Sequence, residues 1–134
     1  MLRKFLVPAL LAAAIASGHA ESLTPDQIEW QKGDASDSAW PVGDPKKPGA
    51  CVQLLRWHPG HMSRPHASLK ARYAVVLQGT WWLGHSEVYD PDATKPYPAG
   101  SVVTDLPGEI HYGGAKTEEV LIALYGDCPL ATTA

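Results

Sequence analysis

Cysteine is almost absent: the 134 residues carry two, Cys51 and Cys128, far apart in sequence. That excludes a CxxC motif of the redox or zinc kind. Positive charge is short as well, with 11 Lys+Arg against 14 Asp+Glu. The basic stripe that a nucleic-acid partner needs is therefore missing. The apolar run at 5–16 is twelve residues, too short to span a bilayer. There is no Gly-rich phosphate loop, no Gly-x-Ser-x-Gly elbow and no HExxH. No repeat or low-complexity tract occurs, and no segment after residue 30 keeps a helical period of apolar residues.

What is present is turn chemistry. Twelve Gly and twelve Pro, with 45% apolar residues, describe one globular domain of short strands joined by turns. Stretches 52–58, 72–77, 80–83, 101–104 and 120–125 read as strands, closed off by Pro59-Gly60, Gly79 and Gly84. Their even punctuation is that of an all-β sandwich or barrel.

The first twenty residues read as an export leader. Arg3 and Lys4 precede the apolar run, and Ser17-Gly18-His19-Ala20 supplies small residues for cleavage after Ala20. Loss of Arg3 and Lys4 with the leader takes the 11 Lys+Arg to 9 against 14 Asp+Glu, a charge of −5. The mature chain is then periplasmic or secreted, and no membrane partner is expected after leader removal. In an oxidising compartment two cysteines usually pair, the alternative being two free thiols. Residues 21–49 read as an N-terminal arm, 50–130 as the barrel and 131–134 as a tail. In the arm, Thr24-Pro25-Asp26-Gln27 suits one helical turn with Thr24 as cap, and 28–30 alternates like a short strand. Trp30 and Trp40 are expected to pin the arm to the barrel.

Two spaced sets of residues carry a resemblance. The first is Gly60, five residues, His66, one residue, Ser68, three residues, Arg72, six residues, Gly79. The second is Gly100, Gly108 and His111, with Pro107 one place late. Together they resemble the two motifs of the cupins. The runs Arg64-Pro65-His66, Leu77-Gln78-Gly79-Thr80-Trp81-Trp82 and Pro98-Ala99-Gly100-Ser101 resemble a group of small secreted cupins. The resemblance covers roughly 28–130 and implies an all-β, cupin-type jelly-roll β-barrel. It also implies a pocket in which two His and a Glu of the first motif, and one His of the second, hold a divalent metal.

This chain keeps His66 and His111 but has Ser68 at the second His position and Arg72 at the Glu position. A neutral serine is a poor ligand, and a guanidinium repels a divalent ion. Two imidazoles alone make a weak site for Fe, Mn, Ni or Zn. His61, in the turn after Gly60, is the candidate third ligand, whereas His58 and His85 read as surface or structural histidines. Arg72 has two readings: an anion clamp for a carboxylate or enolate, or a salt bridge to Asp105 or Glu109. Strand alternation sends one of Trp81 and Trp82 into the pocket. The other is expected in the core, against the arm or at a homodimer interface.

The resemblance also places the strand before the first motif antiparallel to the strand after the second. That would set Cys51 near Cys128 and favour a bridge. Two functions follow from the resemblance. One is a binding module that grips a small anionic molecule through His66, Ser68, Arg72 and His111, with a degenerate, weakly held metal on His66, His111 and His61. The other is a metal-dependent oxygenase, isomerase or decarboxylase of a small organic acid or phenolic compound.

Overall fold

A computed structural model describes residues 22–133. The expected leader, its cleavage after Ala20 and the last residue lie outside the described residues. Ten strands follow in order: β1 Ser36–Val42, β2 Gly49–Trp57, β3 Ala67–Ser68, β4 Arg72–Gln78, β5 Thr80–Gly84, β6 Lys95–Pro98, β7 Val102–Asp105, β8 Tyr112–Gly114, β9 Val120–Cys128 and β10 Thr132–Thr133. A five-stranded sheet runs β1-β2-β9-β4-β7, a three-stranded sheet β6-β5-β8, and β10 pairs with β3. All pairings are antiparallel. The molecule is all-β with jelly-roll topology, and no described helix is long and apolar enough to cross a membrane.

The core sits between the two larger sheets. Alternate residues of β9 (Val120, Ile122 and Leu124) and of β4 (Ala74 and Val76) point inward and meet Trp81 and Leu83 of β5. The period of two that marks these strands in sequence is the period that buries them. Gly79 makes the turn from β4 to β5 with φ +75°, and a Cβ there would run into the Glu119 carbonyl oxygen.

The five strands read from sequence are β2, β4, β5, β7 and β9. Strand β1 lies inside the stretch read as an arm: it pairs with β2 as the edge of the sheet. Its sequence, Ser-Asp-Ser-Ala-Trp-Pro-Val, is polar and holds Pro41, tolerated because an edge strand need not donate on both sides. Residues 28–30 form no strand. Only Gln31 bridges to Ser38, while the Trp30 ring carries the Arg56 guanidinium at 4.0 Å. The expected turn is the 3-10 helix Pro25–Gln27, where the Gln27 side chain accepts the Thr24 N–H at 2.9 Å. The tail is not free either, since Thr132–Thr133 forms β10.

Asp37 of β1 fixes the entry to the barrel. Its buried carboxylate accepts from Lys32 at 3.1 Å, Arg56 Nε at 3.2 Å, His58 Nε2 at 3.0 Å and the Gly33 N–H at 3.4 Å. Burial pushes its carboxyl up, but Lys32, Gly33 and His58 outweigh it and bring the pKa from 3.8 down to about 2. Because the folded value lies below the ordinary one, the stabilisation is complete above about pH 4 and is lost as the pH falls from there towards 2. Asp37→Asn is therefore expected to flatten the acid limb of the stability curve between those values. Thermal melts followed by circular dichroism across that range check it, and an unchanged limb would assign acid sensitivity elsewhere.

Candidate functional site

His66 and His111 face each other because the segments carrying them pair. Each backbone N–H donates to the other's carbonyl at 2.9 Å. This sets the two rings edge-on with centroids 4.6 Å apart. The Nδ1 of His66 lies 2.6 Å from the Arg64 carbonyl, and that of His111 lies 3.0 Å from the Glu109 carbonyl. A carbonyl only accepts, so Nδ1 carries the proton and the neutral ring keeps its lone pair on Nε2. Burial lowers the pKa of His111, with the Glu109 carbonyl and Asp105 pulling it back up and His66 and Arg72 pushing it down. The net effect holds its neutral form.

Arg72 and Asp105 are register partners across β4 and β7, and both are buried. Arg72 Nε donates to Asp105 Oδ2 at 2.9 Å, Nη2 lies 2.7 Å from the same oxygen, and Ser68 Oγ donates to it at 2.6 Å. The salt-bridge reading of Arg72 is thus the one observed, with Asp105 rather than Glu109 as partner. Ser68 and two of the guanidinium nitrogens are committed to that carboxylate. Asp105 Oδ1 is left buried without a hydrogen-bond partner, and His111 Nδ1, at 3.6 Å, is too far to be one.

His61 is not brought to this cluster. Its ring lies 6.3 Å from that of His58, whose Nε2 meets Asp37. His58 has the structural role expected of it, its Nδ1 on the Asp34 carbonyl at 2.9 Å. Another imidazole near His111 is that of His85, which read as a surface or structural histidine and is exposed. Its ring is 6.5 Å from that of His111. Among the described residues no group of three or more His, Cys, Asp or Glu is placed to hold a metal ion. Among the described residues, His66 and His111 are the two imidazoles brought together, with the Arg72 guanidinium beside them on the same cavity, so these residues do not fit a tightly held divalent metal.

The interior is nearly full. A cavity of about 70 Å³ is lined by Trp57, His66, Arg72, Trp81 and His111, and one of about 20 Å³ lies towards His85, Asp105 and Glu109. Usual small-molecule pockets are roughly 300–1,000 Å³, so this space takes a ligand of only a few heavy atoms without moving side chains. Its chemistry is that of a donor. The indole N–H groups of Trp57 and Trp81 are both buried and have no acceptor. Trp81 is the inward member of its pair, packed over Gly113, whose missing side chain makes room for the indole nitrogen. Trp82 faces out under Lys116, 4.0 Å from its ring centroid. Sequence reasoning overlooked Trp57. Alternation through Cys51, Gln53 and Leu55 points it inward, the signal that was there to use.

No family model and no curated protein sequence matches the chain. Solved structures do. The polyketide cyclase RemF from Streptomyces resistomycificus matches with a TM-score of 0.69 at 13% identity, over 82% of this chain and 80% of that one. An RmlC-like cupin from Shewanella frigidimarina matches at 0.63 and 16% identity, over 80% and 90%. A sugar phosphate isomerase of the cupin superfamily from Silicibacter pomeroyi matches at 0.64 and 18% identity, over 80% and 75%. The chain has the cupin fold, as its two motifs implied.

Proposed function

We propose that this protein binds a compact anionic molecule, a carboxylate of a few heavy atoms, in the barrel interior, and does so without a tightly held metal. The observation that carries this reading is the pair of buried, unpartnered indole N–H donors on a small cavity beside His66, His111 and Arg72. A buried donor without an acceptor costs free energy, which a small acceptor would recover. Arg72, already paired with Asp105, is a structural neighbour of the cavity rather than a free clamp. The disulfide supports export to an oxidising compartment.

Calorimetry with formate, acetate, bicarbonate and glycolate, set against benzoate as an oversized control, tests the reading. Binding of one of the small acids is expected, with benzoate silent. Trp57→Phe or Trp81→Phe keeps a ring and removes a donor, and is expected to weaken binding about tenfold to a hundredfold. No binding by the wild-type protein, or equal binding by both variants, would overturn it. A second reading, metal-dependent catalysis on a small organic acid, draws on the free Nε2 atoms of His66 and His111. Elemental analysis separates the two. Sub-stoichiometric metal, readily lost to a chelator, is expected, and one tightly held ion per chain would favour the enzyme.

A further inference from the structure

The outer face of the five-stranded sheet is apolar where a solvated face would be polar. On β4 the outward residues are Tyr73, Val75 and Leu77, and the strand is apolar on both sides. Tyr125 of β9 lies opposite Tyr73, with ring centroids 6.5 Å apart, and Val102 of β7 lies opposite Val75. Val42 extends the row across β2. All six are exposed, Val102 at 68% and Tyr125 at 54%. An antiparallel sheet with one wet face normally alternates polar residues outward, so this pattern belongs to a sheet covered on both sides. The segment before β1 lies over the β1–β2 side of this face, where Trp30 and Lys32 meet Arg56 and Asp37 and where Ala39 and Leu54 are buried, and the six side chains stay exposed beyond it.

We infer that a second copy of this chain packs on this face, across a two-fold axis near Tyr73 and Tyr125. The six side chains expose on the order of 500 Å² of apolar surface, the upper end for a patch on a monomer. With a polar rim that approaches the roughly 800 Å² each partner gives to a standard interface. The patch carries no charge of its own, as the centre of a homodimer interface requires. Lys70 and Asp127 flank the tyrosines in one groove, so the rim offers both signs to an identical partner. An anionic membrane surface is a poorer occupant, because the face lacks the basic cluster that lipid headgroups attract. Tyrosines at the centre of a patch are the residues on which interface energy concentrates.

Sedimentation equilibrium of the full chain, over concentrations up to about 100 μM, is expected to give twice the chain mass. Tyr125→Arg and Val75→Arg are expected to weaken the association at least a hundredfold, with far-UV circular dichroism and the disulfide unchanged, while Tyr125→Phe stays dimeric. A wild-type chain that remains monomeric throughout overturns the inference. So does a dimer that both arginine variants leave intact, since it would use another face, and so does a monomer that partitions onto anionic vesicles.

Discussion

Arg72→Met is expected to destabilise the protein by about 3–5 kcal/mol, the usual cost of removing one partner from a buried ion pair. The reason lies in what remains. Asp105 is 8% exposed, and its Oδ1 has no donor even in the intact protein. Without Arg72 the carboxylate keeps only the Ser68 hydroxyl, at 2.6 Å. Asp105→Leu is expected to cost a similar amount by stranding the guanidinium. The double variant Arg72→Met/Asp105→Leu is expected to recover most of the loss, because two apolar side chains of similar size replace two charges that must otherwise be desolvated. Urea unfolding of the four proteins closes a double-mutant cycle. A coupling near zero would mean that solvent screens the pair, as it does the exposed Lys47–Asp44 contact at 3.9 Å. If the single variants do not fold, a folded double variant still demonstrates the coupling.

Arg72 of the same pair, with Ser68, occupies two positions of the resembled ligand pattern. Ser68 and Arg72 stand where the family resemblance places a His and a Glu. In the structure they have become the two donors that hold one carboxylate. A fixed organic cation, neutralised by Asp105, occupies the place of ligands for a mobile inorganic one. The three side chains are buried and hydrogen-bonded to one another, so the substituted positions are ordered.

How much of this was legible in the sequence depended on periodicity and topology. Strands β2, β4, β5, β7 and β9 are apolar and bounded by glycines or prolines, so local pattern was enough. Strands β6 and β8 were not legible: Lys-Pro-Tyr-Pro and Tyr-Gly-Gly carry breakers in place of β formers, and only neighbours in the sheet hold them extended. Strand β1 was hidden by its polar residues, one of which, Asp37, is buried because four partners reach it. The pairing of His66 with His111 follows from the two spaced motifs, whose strands the fold brings together. The choice of Asp105 over Glu109 for Arg72 required the β4–β7 register, which no local signal encodes.

Replacing both cysteines by alanine is expected to cost about 4 kcal/mol, from the loop-closure entropy that a cross-link over a sequence separation of 77 removes from the unfolded chain. The bond joins the ends of β2 and β9, whose register sets Cys51 opposite Gly126, so Cys128 is its diagonal neighbour on the same inward face. Both cysteines are 1% exposed, and their Cα atoms are 5.7 Å apart. Alanine is the right replacement, since serine would bury two hydroxyls and add a cost unrelated to the cross-link. Non-reducing peptide mapping is expected to find the two peptides joined, and urea unfolding with and without reductant gives the stability difference. Freely alkylated thiols, or equal midpoints, would show that the bond does not form or does not constrain the unfolded chain. The inward row across the sheet runs Asp105, Arg72, Gly126, Cys51, which sets Cys51 two strands from Arg72, about 10 Å, and Cys128 of the adjacent β9 diagonally from Arg72 at roughly 8 Å. At those distances, with only a glycine between them, their effects are expected to add within about 0.5 kcal/mol. A larger coupling between Arg72→Met and the alanine pair would mean that the disulfide sets the geometry of the ion pair as well as the entropy of the unfolded chain.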